Sequence, residues 1–222
     1  MIEAVIFDMD GVLIDSEPIW QKAEREVFGA LGVKISDKEA ETTASLTTVD
    51  VTKYWYAHQP WTGKSLDEVE NEVIDFVENS VAKEGQPMDG LIELLELFTQ
   101  KGFKIGLSTN SPRRIIPTIL DKIGVRDYFH SISSSEDELN AKPDPAVYLS
   151  TARKLKVSPT NCLVFEDSDV GLTAAKNANM KAVALLPIDK FNNEEFAMAD
   201  LKISKLSDFS EKHLTLLNQI VH

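Results

Sequence analysis

The sequence predicts an α/β fold: a doubly wound, Rossmann-like parallel sheet core with an inserted helical-bundle cap. Short apolar runs recur along the chain, and amphipathic helical patterns separate the later runs. A long stretch after the first run contains helical patterns alone. Because strands that alternate with helices are joined by crossovers, the regular part of the chain is expected to form one parallel sheet.

Five apolar runs predict the strands. They are AVIF at 4–7, FKIGLST at 103–109, FHSISS at 129–134, CLVF at 162–165 and KAVALL at 181–186. Runs of this length and composition are typical of strands that are buried on both faces of a parallel sheet. The only cysteine, Cys162, begins the fourth run, and we expect it to be a small core residue without reactivity.

Four helical patterns separate these strands, at residues 90–102, 111–124, 144–157 and 168–180. Ser111 is expected to cap the second of them, with Pro112 at its first helical position. Asp169 is expected to cap the fourth helix or to lie in its first turn. Each pattern is long enough to cross back over the sheet.

The segment between the first strand and residue 86 predicts a helical insert. Amphipathic patterns lie at residues 17–32, 48–58 and 65–85. Ser16 or Asp15 is expected to cap the first of these helices, before Pro18. We therefore predict two domains: an α/β core formed by residues 1–15 and 86–222, and a helical cap formed by residues 16–85.

Composition limits the partners of the protein. The chain has 222 residues and a formal net charge of −13, which argues against nucleic acid or an anionic membrane as a partner because both require a basic face. There is no apolar run long enough to span a bilayer and no signal-peptide pattern at the start. We expect a soluble, cytoplasmic monomer that acts on a small molecule.

Chemically active residues follow the predicted strands, where the loops of an open α/β sheet converge on one crevice. Asp8 and Asp10 follow the first strand, and Gly11 allows the chain to turn there. The others are Thr109, Asn110 and Ser111 after the second strand, Lys142 after the third, and Glu166, Asp167, Ser168 and Asp169 after the fourth.

This set of residues predicts phosphoryl transfer. Clustered carboxylates repel each other unless one is protonated or a cation binds, and Mg²⁺ is the cation that suits oxygen ligands best. Hydroxyls, backbone N–H groups and a lysine suit a phosphate group. One carboxylate can act as a nucleophile that forms an aspartyl-phosphate, and a second can act as general acid and base.

Four segments, FDMDGVLIDSE, LSTNS, AKPDP and FEDSDVG, resemble the four motifs of the haloacid dehalogenase superfamily. Within it, the chain is most similar to the phosphatases and β-phosphoglucomutase relatives that carry a small helical cap. DxDG alone is a weak signal, but four motifs in order, each at a predicted strand end, are specific. The resemblance covers the whole chain, including the position of the insert.

The resemblance implies a role for each matching residue. Asp8 corresponds to the nucleophile and Asp10 to the general acid and base. Thr109 and Asn110 correspond to the second motif, which binds the phosphate oxygens. Lys142 corresponds to the lysine that neutralises the phosphoryl group and orients the nucleophile.

The resemblance also implies a Mg²⁺ site. Its expected ligands are the carboxylates of Asp8 and Asp167 and the backbone carbonyl of Asp10. Glu166 is expected to act on the ion through a water molecule.

The insert suggests a substrate class. WYAHQPWTG at residues 55–63 resembles the cap of phosphatases that act on 2-deoxyglucose 6-phosphate and hexitol phosphates. The resemblance therefore implies a Mg²⁺-dependent phosphatase for small sugar or sugar-alcohol phosphates. We expect Trp20 to contact the substrate, the aromatic residues between 54 and 61 to form the core of the insert, and His58 to be structural or exposed.

Three other functions are compatible with some of these features. A sugar phosphomutase would use the same aspartyl-phosphate and pass it to another hydroxyl. Many relatives have an arginine in the cap that binds the substrate. At the corresponding stretch this chain reads TASLTT, with Ser45 and Thr47, and the lack of an arginine there weakens the mutase hypothesis. Dehalogenation is disfavoured because dehalogenases lack an acid at the position of Asp10. A phospho-acceptor signalling domain is also disfavoured, because such domains are shorter and have no helical insert.

Overall fold

The computed structural model describes residues 1–219, so the last three residues of the predicted core lie outside the described part. Its strands are β1 Ala4–Phe7, β2 Lys104–Thr109, β3 Ser131–Ser134, β4 Cys162–Glu166, β5 Lys181–Leu185 and β6 Leu201–Ile203. They form one parallel sheet in the order β3-β2-β1-β4-β5-β6. The five predicted strands are confirmed.

The helices divide into two groups. The helical insert consists of α1 Glu17–Ala30, α2 Asp37–Thr43, α3 Thr48–His58 and α4 Leu66–Glu84. The remaining helices are α5 Leu91–Gln100, α6 Ile116–Lys122, α7 Ala146–Leu155, α8 Asp169–Asn177 and α9 Glu211–Gln219. Thus the predicted fold class is confirmed, while the division into two domains at residues 15 and 86 remains a proposal.

Three elements were not predicted: α2, β6 and α9. The α2 sequence DKEAETT has no apolar stripe, and its start is set by a capping box in which the side chains of Ser36 and Glu39 bond each other's backbone N–H. β6 has only three residues, with Lys202 at its centre. The helix α9 buries Leu214 and Leu217, a pattern that periodicity could have revealed.

The winding of the sheet places the functional edge at β1. Phe7 of β1 pairs with Leu107 of β2 on one side and with Phe165 of β4 on the other. The sheet therefore grows outward from β1 on both sides, first through β2 and β3 and then through β4, β5 and β6. An open α/β sheet has its crevice outside the carboxyl ends of the strands where the order of winding changes in this way. Whatever follows Phe7 enters that crevice.

Aromatic packing fixes the end of β1. The rings of Phe7 and Phe165 stack with centroids 4.9 Å apart, and Phe98 meets Phe7 edge to face at 6.2 Å. All three residues are fully buried. Cys162 is also buried, and burial raises the pKa of its thiol to about 12, so its predicted role as a core residue is confirmed.

The insert has its own aromatic core. Trp55 and Trp61 are buried against Phe28, with ring centroids 6.5 and 5.9 Å from that residue. His58 lies on the outer side, where its Nδ1 is 2.8 Å from the backbone oxygen of Tyr54. The expectation that these aromatic residues form the core of the insert is confirmed for the two tryptophans.

Polar contacts join the insert to the core. Arg114 Nη1 lies 2.7 Å from Asp75 Oδ1 on α4, and the Thr118 hydroxyl donates to Glu78 Oε1 at 2.7 Å. These contacts join α4 of the insert to α6 and to the turn that precedes it. None of the helices within residues 1–219 combines the length and apolar character needed to cross a bilayer.

Candidate active site

Asp8 is the first residue beyond β1, and its backbone continues the strand. Its N–H donates to the Phe165 carbonyl at 3.0 Å, and the residue is 8% exposed. The chain then turns at Gly11, where φ is +72° and an added Cβ would lie 1.9 Å from Asp167 Oδ2. Glycine is therefore required both for the turn and for the close approach of the Asp167 carboxylate.

Lys142 brings a buried positive charge to Asp8. Its Nζ lies 2.6 Å from Asp8 Oδ1, 2.6 Å from Glu166 Oε1 and 3.0 Å from the Ser108 carbonyl oxygen. Burial opposes the charge on Lys142, but the Asp8 and Glu166 carboxylates outweigh it and raise its pKa above the ordinary value. Lys142 is thus a fixed cation that contacts both acids at once.

Glu166 is held from several directions. The Tyr148 hydroxyl donates to Oε1 at 2.5 Å, and Oε2 accepts the Ser168 hydroxyl at 3.1 Å and the Asp167 N–H at 3.2 Å. At Gly171 on α8, an added Cβ would lie 1.8 Å from Glu166 Oε1, so the carboxylate fits only because that residue is glycine. Both oxygens of Glu166 are therefore engaged by protein groups.

The carboxylates of Asp8, Glu166 and Asp167 form an acidic group whose ligand oxygens all lie within 4.8 Å of one another. Burial, with the charges of Glu166 and Asp10 adding and that of Lys142 opposing, raises the pKa of Asp8 to about 8. Burial, followed by the charge of Glu166, also raises the pKa of Asp167 well above its usual range. The site therefore has more buried negative charge than Lys142 balances.

A divalent cation with oxygen ligands fits this group. No described residue donates a hydrogen bond to the Asp167 carboxylate, although Asp167 is half-buried and lines the same cavity as Asp8. Since both oxygens of Glu166 are occupied, Asp8 and Asp167 are the carboxylates free to hold an ion. The predicted ligand set of Asp8, Asp167 and the Asp10 backbone carbonyl agrees with this arrangement, and it remains a proposal.

Asp10 points toward the insert, and three side chains donate to its carboxylate. Ser16 and Trp20 donate to Oδ1 at 2.5 and 2.9 Å, and Ser111 donates to Oδ2 at 2.6 Å. Two of these donors belong to the start of the insert and one to the loop after β2. The Asp10 carboxylate is thereby fixed at the boundary between insert and sheet.

These contacts correct two predicted caps. Ser16 occupies the N-cap position of α1, but its side chain makes no cap hydrogen bond. Ser111 does not cap a helix either, because a short 3₁₀ turn at Arg113–Ile115 precedes α6, which begins only at Ile116. Both hydroxyls bond Asp10 instead, which a helix-capping rule cannot show because the partner is remote from Ser111 in sequence.

Thr109 and Asn110 line the same cavity as Lys142, and their predicted role in binding phosphate remains a proposal. Thr109 is 1% exposed, and its Oγ1 accepts the Ser111 N–H at 2.9 Å, which leaves the hydroxyl proton free for a ligand. Asn110 Oδ1 accepts the Lys142 N–H at 3.0 Å. The loop after β2 therefore presents a hydroxyl and an amide next to the lysine, the kind of group that binds phosphate oxygens.

One cavity of about 660 Å³ is lined by most of these groups, with Glu166, Tyr148 and Ser16 lying behind its surface. Its floor includes Asp8, Asp10, Thr109, Lys142 and Asp167, and its roof is formed by the insert. Trp20 lines the wall between them. This volume is within the range of sites for small molecules, roughly 300–1,000 Å³.

Comparison with known proteins identifies the family. Residues 5–185 match the haloacid dehalogenase-like hydrolases. The chain belongs to this family. The predicted family is confirmed, and the matched span includes every candidate site residue named above.

Two curated relatives and one solved structure are informative. The chain is 39% identical to hexitol phosphatase B of Escherichia coli over 96% of each chain. It is 29% identical to the fructose-1-phosphate phosphatase YqaB of Escherichia coli, over 81% of this chain and 94% of the relative. A β-phosphoglucomutase structure from Clostridium difficile superposes with a TM-score of 0.86 and 25% identity over 99% and 98% of the two chains.

Family and relatives together show that this hydrolase is an enzyme that cleaves phosphoric monoesters. Sequence reasoning missed one residue that supports its site, Tyr148. That residue lies on α7, in an apolar pattern typical of core side chains, and the signal for it is its place three residues after the AKPDP motif. Only the structure shows that its hydroxyl reaches Glu166.

Proposed function

We propose that this hydrolase is a Mg²⁺-dependent phosphatase of small sugar or sugar-alcohol phosphates that works through an aspartyl-phosphate on Asp8. The observation that carries the proposal is the contact between Asp8 and Lys142, 2.6 Å long, on the floor of the cavity that Asp10 also lines. The similarity to hexitol phosphatase B supports the substrate class.

In the first step, a carboxylate oxygen of Asp8 attacks the phosphorus atom of the ester. The bond from phosphorus to the ester oxygen breaks, and Asp10 transfers a proton to that oxygen, so the sugar leaves as a neutral alcohol. Lys142 and the Thr109 hydroxyl stabilise the charge on the phosphoryl oxygens during the transfer. The product on the enzyme is an acyl phosphate at Asp8.

In the second step, Asp10 takes a proton from a water molecule as the water oxygen attacks the phosphorus. The bond between phosphorus and the Asp8 oxygen breaks, which releases inorganic phosphate and restores the Asp8 carboxylate. Asp10 is protonated again and ready for the next ester. The Ser16, Trp20 and Ser111 donors keep Asp10 positioned for both transfers.

The metal would be held by Asp8, Asp167 and the Asp10 backbone carbonyl. A Mg²⁺ ion bound by these residues would shield the negative charge of the phosphoryl group, so that the Asp8 carboxylate could approach it. Without a cation, burial and neighbouring charges raise the pKa of Asp8 to about 8 and would leave much of the nucleophile protonated near neutral pH.

The test is phosphate release from a panel of hexose and hexitol phosphates, with Mg²⁺ and with a chelator. We expect release with Mg²⁺ and its loss with the chelator. Asp8→Asn should abolish turnover, and Asp10→Asn should reduce it most for esters with poor leaving groups. Full activity of the Asp8→Asn variant would refute the assigned nucleophile.

A phosphomutase is the second candidate, because the similarity to the β-phosphoglucomutase structure covers nearly the whole chain. A mutase must hold a second phosphate, yet the described residues that the insert contributes to the cavity include no lysine or arginine. Conversion of a sugar phosphate into an isomer without net release of phosphate would favour the mutase over the phosphatase.

A further inference from the structure

The cavity wall opposite the phosphate-binding groups has a chemical character of its own. Glu17, Gln21 and Glu24 follow one another at helical spacing on α1 and line the same cavity as Asp8. The floor offers the Lys142 ammonium to a phosphate group, whereas this wall carries two carboxylates and an amide. A substrate held between the two would therefore meet a lysine at its phosphate and hydrogen-bond acceptors at its other end.

Glu24 is the member of this stripe that points to a ligand. It is half-buried, and no described residue donates a hydrogen bond or forms an ion pair with its carboxylate. Burial, together with the charge of Glu17, raises its pKa to about 7. A half-buried acid without a protein partner is costly unless a ligand supplies hydrogen bonds.

Gln21 completes the wall. Its Nε2 donates to Glu17 Oε1 at 2.8 Å at an exposed position, and the Gln21 amide oxygen remains available as an acceptor. Ala40, Ala44 and Val51, which also line the cavity, provide apolar surface for carbon atoms. Acceptors next to apolar surface suit a chain of carbons that carries hydroxyl groups.

Resting on the proposed function, we propose that the α1 wall formed by Gln21 and Glu24 binds the hydroxyl groups of an uncharged, hydroxyl-rich leaving group. A second anionic group on the substrate would be repelled at this wall, because the described part of α1 brings no cation into the cavity; Lys190, which also lines the cavity, lies after β5 and is not part of the wall. The enzyme should therefore prefer monophosphates of neutral sugars or polyols to bisphosphates and phosphorylated acids.

The test compares kcat/KM for sorbitol 6-phosphate and for p-nitrophenyl phosphate, whose leaving group has no sugar hydroxyls. A hydrogen bond to a charged group contributes enough that Glu24→Leu should lower kcat/KM for sorbitol 6-phosphate at least about tenfold more than for p-nitrophenyl phosphate. Gln21→Leu should shift the same ratio in the same direction. Glu26→Leu is the matched control, since Glu26 lies exposed on α1 outside the cavity, and it should not change the ratio.

A second measurement removes the charge of Glu24 and keeps the shape of its side chain. Glu24→Gln keeps the hydrogen-bonding groups and removes the charge, so kcat/KM for fructose 1,6-bisphosphate should rise several-fold relative to fructose 6-phosphate. Thermal unfolding of each variant checks that the fold is kept.

The outcomes separate the two proposals. If the wild-type enzyme releases phosphate from none of these esters, the proposed function fails. If it releases phosphate but Glu24→Leu lowers kcat/KM for sorbitol 6-phosphate and for p-nitrophenyl phosphate equally, the proposed function stands. The α1 wall is then not a leaving-group site. A clear preference for glucosamine 6-phosphate over fructose 6-phosphate would also overturn the inference, because it would show that the wall binds a cation.

Discussion

Tyr148 donates its hydroxyl to Glu166 Oε1 at 2.5 Å, and the same oxygen accepts from Lys142 at 2.6 Å. Burial, followed by the charge of Glu166, raises the pKa of Tyr148 well above its ordinary value, so the hydroxyl stays protonated and remains a donor. The Tyr148 ring also lies 4.7 Å from Lys142 Nζ. One residue outside the motifs thus contacts both members of the buried ion pair.

Tyr148→Phe tests this relationship. The variant keeps the ring and removes the hydroxyl, so Glu166 loses one donor in a fully buried place. We expect the free energy of unfolding to fall by about 1.5–3 kcal/mol, as for other hydrogen bonds to charged groups, measured by urea denaturation. Tyr128→Phe is the matched control: no described residue bonds that hydroxyl, and the change should stay within about 0.5 kcal/mol.

Gly171→Ala sets helix propensity against steric fit. Alanine is preferred over glycine inside a helix by about 0.5–1 kcal/mol. At Gly171 the new Cβ would lie 1.8 Å from Glu166 Oε1, which must move and take the Lys142 contact with it. We expect this variant to be less stable than the wild type and to lose at least about tenfold in kcat, because a small misplacement near the reacting groups is costly.

Gly29→Ala makes the same substitution where the added methyl group has room, so stability should change in the opposite direction. Gly29 lies in α1, and nothing lies within 4 Å of an added Cβ there. We expect a gain of about 0.5–1 kcal/mol in unfolding free energy and unchanged activity. A gain of stability in both glycine variants would contradict the packing of Glu166 against α8.

The sequence predicted the site's chemistry better than its supporting contacts. Asp8, Thr109 and Asp167 lie at or just after the carboxyl ends of strands with apolar sequences, so the sequence predicts that they share one edge of a parallel sheet. Lys142 lies farther along the loop after β3, and only the AKPDP motif indicates its place. The roles of Ser16 and Ser111 could not be predicted, because local rules favoured helix caps for both. Both hydroxyls bond Asp10 instead, and only the fold brings Asp10 close to Ser111.

The insert also contains an element and a contact that sequence patterns do not reveal. Its long helices were predicted from apolar stripes, and α2 was missed because its residues are polar and its start depends on Ser36 and Glu39. Trp20 was expected to touch the substrate because it lies near the start of the insert. The structure adds that its indole N–H donates to Asp10, a contact with no sequence signature.

Trp20→Phe separates these two roles of the tryptophan. Phenylalanine keeps an aromatic ring on the cavity wall and removes the donor to Asp10 Oδ1. Loss of one hydrogen bond to a charged group should lower kcat about tenfold while KM changes little. In Trp20→Leu the ring is lost as well, and a further rise in KM would support contact with the substrate. A kcat of Trp20→Phe equal to that of the wild type would show that the donor does not position Asp10.

Metal binding should depend on pH in a direction that the buried acids fix. The pKa of Asp8 is raised from an ordinary 3.8 to about 8, and the pKa of Asp167 is raised as well. Between those values the metal-free folded protein holds protons that the unfolded chain has released. The contribution of these groups to the free energy of unfolding therefore falls as pH rises through this window, and it is largest at the acidic end.

Mg²⁺ binds the deprotonated carboxylates, so its stabilising effect should grow over the same window. At one fixed Mg²⁺ concentration, about 100 times the Kd at pH 8.5, we expect the ion to raise Tm by roughly 5–10 °C at about pH 8.5 and by clearly less at about pH 6, where its Kd is higher. Thermal unfolding with Mg²⁺ and with a chelator measures both values. Asp167→Asn should lose most of the shift, whereas Asp189→Asn, at an exposed position outside the cavity, should keep it. A shift equally large at both pH values would show that the ion does not bind at Asp8 and Asp167.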